Sequence, residues 1–291
     1  MLDNIKNFKI NKYVHRPFCK LSLEFIDEFS NKLRKVKNVN NYPELIYLIL
    51  WCSKQRIKER ANSIKRDEVR LGRGLVFHIC ASNAPTNFVY SFLFGLLSGN
   101  SNIIKIPSKF TEEKKIVMKV VNNIFTKNKY RKFKKSNLFI EYNNDINITE
   151  RISSISDARV IWGSDNTINN LRKIKIQERC VDITFPDRYS ICIINIDKMT
   201  KLNKKEIRVL AKKFYYDGYT MNQSACNSPH HVFWVGKKNK SIQNFFWCEL
   251  GKVVDSKFIF DNKHISDKYL NLIEKKVMAK KIKKIKFIQN K

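Results

Sequence analysis

His78-Ile-Cys-Ala-Ser-Asn-Ala-Pro-Thr-Asn-Phe88, then Gly95-Leu-Leu-Ser-Gly-Asn-Ser-Asn-Ile-Ile-Lys-Ile-Pro-Ser108, is the stretch whose reading decides the fold. It opens on the end of an apolar run, Leu75-Val-Phe-His-Ile-Cys80, that has the length and composition of a buried strand. A polar turn follows, with Asn83 shortly before a proline. Residues 88–98 then have helical length and apolarity, and Gly99-Asn100 ends them as a helix C-cap does. Asn102-Ile-Ile-Lys-Ile106 reads as a second strand, stopped by Pro107, which has no N–H to give a ladder. Open α/β sheets bind ligands outside the carboxyl ends of their strands, and that is the end to which Asn83 and Lys105 belong.

Working outward, the same rhythm continues. Residues 111–125 form an amphipathic helix whose start, Thr111-Glu-Glu, puts acids in the first turn. Strands are expected at 137–141, 159–162, 190–195 and 231–235, with helices at 165–174 and 202–216. Upstream, residues 1–70 read as mostly helical and polar, and Tyr42-Pro-Glu-Leu-Ile-Tyr-Leu-Ile-Leu-Trp51 starts a helix with proline near its first turn. Alternating strands and helices argue for an α/β fold with a mostly parallel sheet. The expected organisation is an N-terminal helical segment (1–70) followed by α/β units at 71–188 and 189–291. Lysine-dense 274–286, with Val277, Met278, Ile282 and Ile285 at near-helical spacing, reads as a solvated terminal helix in preference to a docking or membrane surface.

A net charge of +31, from 57 basic and 26 acidic residues, raises nucleic acid as a partner. Charge alone supports that reading, since no helix-turn-helix, RNP-type or zinc signature accompanies it. Abundant lysine, asparagine and isoleucine are also what an A+T-rich genome imposes on any protein. Seven cysteines without a C-x-x-C pair suggest neither a disulfide framework nor a zinc cluster, so no metal is expected. His230 and His231 are adjacent, which on a regular strand sends their rings to opposite faces. The N-terminus lacks an apolar signal core, and the longest apolar runs, 45–52 and 88–97, fall short of the roughly 20 residues of a membrane span. A cytoplasmic, reducing location is the expectation.

Cys226 lies in Tyr219-Thr-Met-Asn-Gln-Ser-Ala-Cys-Asn-Ser-Pro-His230, among small and polar residues after a helix and before an apolar run. A thiolate nucleophile needs access and a polar setting. Packing cysteines sit inside apolar runs, as Cys80, Cys192 and Cys248 do.

Four segments in order, Ala81-Ser-Asn-Ala-Pro85, Gly95-Leu-Leu-Ser-Gly-Asn100, Trp162-Gly-Ser-Asp-Asn-Thr-Ile168 and Asn222-Gln-Ser-Ala-Cys-Asn-Ser-Pro229, resemble the aldehyde dehydrogenase superfamily. Within it the match is best to the long-chain acyl-CoA reductases, the LuxC-like subunits of bacterial luminescence systems. The resemblance implies a Rossmann-type nucleotide-binding domain (71–188) joined to a catalytic domain (189–291) that is incomplete here, because relatives continue further past the nucleophile. It assigns Cys226 as the acyl-accepting nucleophile and Asn83 as the side-chain amide on the oxyanion. Lys105 becomes the contact to the adenosine ribose, and Gly163 and Ser164 the turn against the cofactor pyrophosphate. Ser108 occupies the place where NAD-preferring relatives often carry glutamate, which makes NADPH (NADP) the expected cofactor. No G-x-G-x-x-G is present, and the superfamily binds its cofactor without one.

Hydrolytic relatives carry a glutamate in Glu-Leu-Gly-Gly-Lys; the corresponding Thr184-Phe-Pro-Asp-Arg-Tyr-Ser190 has none, and Asp187 sits off register as a substitute. The implied activity is reduction of a long-chain fatty acyl thioester to a fatty aldehyde. Implied partners are fatty acyl-CoA or an acyl-adenylate, an acyl-transferring or synthetase protein, and a second copy of the chain. The alternatives are an inactive or partner-dependent relative that keeps nucleotide or partner binding, and a basic nucleic-acid-binding protein.

Overall fold

The computed structural model describes residues 10–64, 68–80, 86–143, 145–219, 228–258, 266, 269, 270 and 273. Two compact units divide the chain, Met1–Asp187 and Arg188–Lys291.

In the first unit, helices α1 (Lys20–Arg34), α2 (Pro43–Trp51) and α3 (Lys54–Asn62) precede strand β1 (Leu75–Ile79). The chain continues through α4 (Asn87–Leu97), β2 (Ser101–Lys105), α5 (Glu112–Phe125), α6 (Arg131–Ser136) and β3 (Asn137–Ile140). It closes with α7 (Ile146–Ile155), β4 (Ala158–Trp162), α8 (Asp165–Arg172) and β5 (Val181–Phe185). The five strands pair in the order β3-β2-β1-β4-β5, all parallel. The chain builds outward from β1 to β3, then returns to lay β4 on the other side of β1. The order therefore reverses between β1 and β4, the crevice where doubly wound sheets take ligands.

Strand alternation divides the core. Leu75, Phe77, Ile79, Ile103, Ile140 and Ile161 face α7 and α8, where Ile152 and Ile168 meet them. Ile104 and Phe139 face the other way, into a larger core with Phe88, Phe92 and Leu96 of α4 and Val117, Val121 and Ile124 of α5. Phe25, Phe29 and Leu33 of α1 and Leu45 and Leu48 of α2 belong to that same core, so the N-terminal helices are an outer layer of this unit.

Local chemistry sets the element ends. Thr111 caps α5 by accepting from Lys114 N, and Asp145 caps α7. Gly99 has φ +84°, and a Cβ there would lie 2.0 Å from the His15 carbonyl oxygen, so only glycine fits. Asn100 does more than end the helix: its side-chain oxygen accepts from Arg73 N and Gly74 N, at 2.6 and 3.2 Å. At the amino ends of the central strands, the Asp157 carboxylate accepts from Leu75 N (2.8 Å) and Lys12 Nζ (3.0 Å) and pairs with Arg179 (3.0 Å).

In the second unit, β6 (Ser190–Asn195) and β7 (Pro229–Val235) pair in parallel. Helices α9 (Ile196–Met199), α10 (Lys204–Gly218) and α11 (Lys240–Lys257) accompany them. Helix α10 begins at Lys204 because Asn203 and Glu206 form a capping box. Ile207, Ala211 and Tyr215 of α10 pack on Phe246, Leu250 and Val254 of α11, with Ile194 and Trp234 against them. Ile191, Ile193, Phe233 and Val235 are each more than half exposed.

Candidate active site

Because the sheet is parallel, the carboxyl ends of all five strands share one edge. The register places Ile79 beside Lys105 and Ile161, and Trp162 beside Phe185. Lys105 ends β2, the bend that holds Ser108 follows it, and Gly163-Ser164 is the turn leaving β4. Four of the sequence-assigned residues, Lys105, Ser108, Gly163 and Ser164, thus lie along that edge. Asn83 (in 81–85) and Cys226 (in 220–227) lie outside the described residues, as does 274–286.

Lys105 is half-buried, with its ammonium 4.4 Å from the Tyr142 ring centroid, and burial holds its pKa below the usual lysine value. Tyr142 is itself anchored by its hydroxyl to Thr149, at 2.9 Å. The ring quadrupole attracts that ammonium and holds it beside the end of β3. The bend that carries exposed Ser108 is fastened from α5: Lys114 Nζ donates to the Pro107 carbonyl (2.7 Å) and to Glu141 (2.9 Å).

The Gly163-Ser164 turn fits an approaching ligand in one respect and resists it in another. A Cβ on Gly163 would meet the Thr167 side chain at 3.0 Å, so glycine lets this turn pack closely on α8. Ser164 caps the helix, its hydroxyl 3.4 Å from Thr167 N. Asp165 occupies the first turn, where it complements the helix dipole and opposes a phosphate. A pyrophosphate here would depend on the backbone N–H groups of the first turn of α8, since Gly163 N donates to the Phe185 carbonyl (3.3 Å) and Lys105 stands two strands away.

Under this edge runs a buried polar chain that sequence reasoning did not assign. Asn102 Nδ2 donates to two carbonyl-type oxygens, Asn100 O (2.9 Å) and Asn137 Oδ1 (2.6 Å). Its Oδ1 therefore accepts from His78 Nε2, at 2.9 Å. That fixes the tautomer: His78 Nδ1 accepts from the Ser91 hydroxyl (2.7 Å), and Ser91 in turn accepts from Trp162 Nε1 (3.2 Å). Burial pushes the His78 pKa down to about 4, and the Asn102 bond only partly opposes it. The ring is neutral at physiological pH. Trp162 also stacks on Phe185, with centroids 4.0 Å apart and planes at 9°. The available signal was polar His78 and Asn102 inside apolar strand runs.

Three expectations need correction. His230 and His231 do not part to opposite faces. The pairing skips a residue between Ser190 and Ile191, and such a bulge breaks the two-residue alternation. Both rings lie against Tyr189, with centroids at 5.0 and 5.5 Å. Cys248 is exposed on α11, because its apolar neighbours belong to a helix whose buried face is elsewhere. The helix 165–174 ends at Arg172. Cys80 keeps a packing role, its thiol pushed up by burial to about 12.

Among curated proteins, the chain is similar to a long-chain acyl-protein thioester reductase of Aliivibrio fischeri, 27% identical over 169 residues, covering 56% of this chain and 32% of that one. The chain thus spans about a third of that relative's length. Among solved structures it resembles an aldehyde dehydrogenase from Bartonella henselae, with TM-score 0.55 and 12% identity over 88% of this chain and 58% of that one. It also resembles Proline Utilization A from Corynebacterium freiburgense, with TM-score 0.57 and 12% identity over 87% and 25%. These likenesses show an aldehyde-dehydrogenase-like α/β fold, present in part. Residues 53–285 match the family described as acyl-CoA reductase (LuxC), and the chain belongs to that family.

Proposed function

We propose that this protein reduces a long-chain fatty acyl thioester to the fatty aldehyde through a cysteine acyl-enzyme, with NADPH as reductant. The observation that carries this reading is family membership over 53–285, a span that contains Cys226 and every other proposed site residue. It is supported by a doubly wound sheet with Lys105, Ser108, Gly163 and Ser164 along the carboxyl edge of its strands.

Cys226 thiolate attacks the activated acyl carbonyl, while the Asn83 amide and the cysteine's backbone N–H hold the oxyanion. Each such donor is typically worth about 3 kcal/mol in the barrier. The donor's leaving group, a thiolate from acyl-CoA or an acyl-protein and AMP from an acyl-adenylate, departs and leaves the acyl group on Cys226. Bound NADPH supplies the hydride. The Cys226 thiohemiacetal then releases aldehyde and restores the thiol. Lys105 would hold the adenosine ribose, Ser108 leaves room for a 2′-phosphate, and Gly163-Ser164 would receive the pyrophosphate. The absence of glutamate from 184–190 suits a reductase, because a water-activating base there would release the acyl group as acid. An acyl-CoA, an acyl-adenylate or an acyl-protein is the donor, and an acyl-transferring protein is the partner that this chemistry calls for.

The test is stopped-flow NADPH oxidation with a long-chain acyl-CoA. A burst stoichiometric with protein is expected, and Cys226→Ala abolishes it. Nucleotide binding without turnover in either protein would instead support a second reading, a partner-dependent relative. That reading is favoured by the exposed apolar face of Ile191, Ile193, Phe233 and Val235. Parallel sheets are ordinarily covered on both faces.

A further inference from the structure

The pinned indole at the end of β4 has a consequence for how a cofactor would be held. Trp162 and Phe185 are register neighbours on β4 and β5, so their side chains leave the same face of the sheet. Both are half-buried, and their rings lie parallel at 4.0 Å. Gly163-Ser164 follows Trp162 directly, while Lys105 stands two strands away on β2, roughly 10 Å across the sheet at the usual strand spacing. Lys105 leaves the opposite face of the sheet, on the side of α7, so a dinucleotide with its adenosine at Lys105 crosses the carboxyl edge at Gly163-Ser164, and its nicotinamide end then lies on the α4 side, at the Trp162–Phe185 pair.

A half-buried indole with no hydrogen bond can rotate about its χ angles, and a wall that rotates does not orient a ring. Here the indole N–H is committed to Ser91, whose own proton is committed to His78 Nδ1. His78 cannot exchange its role, because Asn102 Oδ1 requires the proton on Nε2. Ser91 and His78 are both almost fully buried, so water does not compete. A neutral histidine at this depth needs one donor and one acceptor, and it finds each.

We propose that Ser91 and His78 are positioning residues for the cofactor: they lock the Trp162 indole, and with it the Trp162–Phe185 ring pair, as a fixed wall for the nicotinamide ring. This rests on the reading of the chain as a nicotinamide-dependent reductase. The ring pair contacts the cofactor; Ser91 and His78 act through it.

The experiment compares wild type, Ser91→Ala and Trp162→Phe in the full chain. Three readouts are taken: NADPH affinity, affinity for the adenosine bisphosphate half alone, and tryptophan-sensitised emission from bound NADPH. Loss of the Ser91 hydroxyl breaks two bonds, to His78 Nδ1 and to Trp162 Nε1, and the second is the one that frees the indole, so NADPH should bind roughly three- to tenfold more weakly. The adenosine half should bind unchanged, which a general folding defect would not allow. Trp162→Phe keeps an aromatic surface and should retain binding while losing most of the sensitised emission. Equal weakening of both ligands by Ser91→Ala, or of neither, overturns the positioning role, and full sensitised emission in Trp162→Phe removes the wall. If wild type binds the adenosine half and not NADPH, the reductase reading and this inference fall together. If it binds NADPH and Ser91→Ala does not discriminate, the inference falls alone.

Discussion

Arg159 is the largest fully buried side chain of the described residues, and removing its partner should expose how much of the first unit depends on it. Its guanidinium is 0% exposed and makes a two-pronged contact with Asp182, Nε to Oδ1 and Nη2 to Oδ2, both at 2.7 Å. Nη1 donates to the Leu171 carbonyl at 3.0 Å and to Ser153 Oγ at 3.4 Å, so one cation ties β4, β5, α7 and α8 together. Asp182→Ala removes two charge-assisted bonds and leaves a buried cation half-satisfied. Breaking such a pair costs about 3–5 kcal/mol. Asp182 retains 14% exposure, through which water can enter, so the lower end, about 3 kcal/mol, is expected. For a unit of this size that is a fall in Tm of roughly 6–12 °C. Urea titration followed by tryptophan fluorescence reads it, since Trp162 stacks on β5. The paired replacement Arg159→Met with Asp182→Leu should recover most of the loss, because the pair's value lies mainly in not leaving a charge alone. A cost below about 1 kcal/mol for Asp182→Ala, or a paired variant as unstable as the single one, refutes the reasoning.

Other expectations rest on single groups. Burial raises the Asp157 carboxyl, but the Leu75 N–H, Lys12 and Arg179 outweigh it and leave its pKa below the usual carboxylate value. A depressed carboxylate stabilises the fold above its unfolded pKa, about 4, and that stabilisation is lost as pH falls through the folded value. Urea midpoints should therefore drop on acidification, and less steeply in Asp157→Asn, which at neutral pH costs about 1–3 kcal/mol; equal pH slopes in the two proteins would contradict this. Burial also raises the Cys19 thiol, yet His15 and Ser22 bring it down to about 7. Alkylation near neutral pH with peptide mapping should label Cys19 well ahead of Cys80 and Cys52, both pushed up by burial, and comparable labelling of Cys52 argues against it. Lys105→Met keeps the stem on Tyr142 and removes the charge, so NADPH affinity should fall roughly ten- to a hundredfold. An unchanged Kd by isothermal titration removes Lys105 from the cofactor contact.

Elements with a strong local signal were legible in the sequence. Leu75–Ile79, Asn87–Leu97 and Glu112–Phe125 fall within a residue or two of where apolarity, Gly99 and Thr111 place them. Strand β5 was not legible: Val181–Phe185 is partly exposed along its length, so Asp182 and Thr184 dilute the apolar run. Helix α7 was hidden by its polar stretch Asn147-Ile-Thr-Glu-Arg, and is specified instead by the Asp145 cap. Helix α11 was obscured because its apolar residues nearly encircle it. At the site, Lys105 and Gly163-Ser164 could be placed because both follow directly from strand ends. The His78–Ser91–Trp162 chain could not, since it joins three elements whose proximity exists only once β1, β4 and α4 have packed.

The central claim is that Cys226 carries the acyl group, and intact-protein and peptide mass spectrometry tests it most directly. After incubation with a long-chain acyl-CoA and no reductant, the Cys226 peptide should gain one acyl mass. Addition of NADPH should remove it with release of aldehyde. An unmodified Cys226, or an acyl group resident on another cysteine and unaffected by Cys226→Ala, contradicts the account.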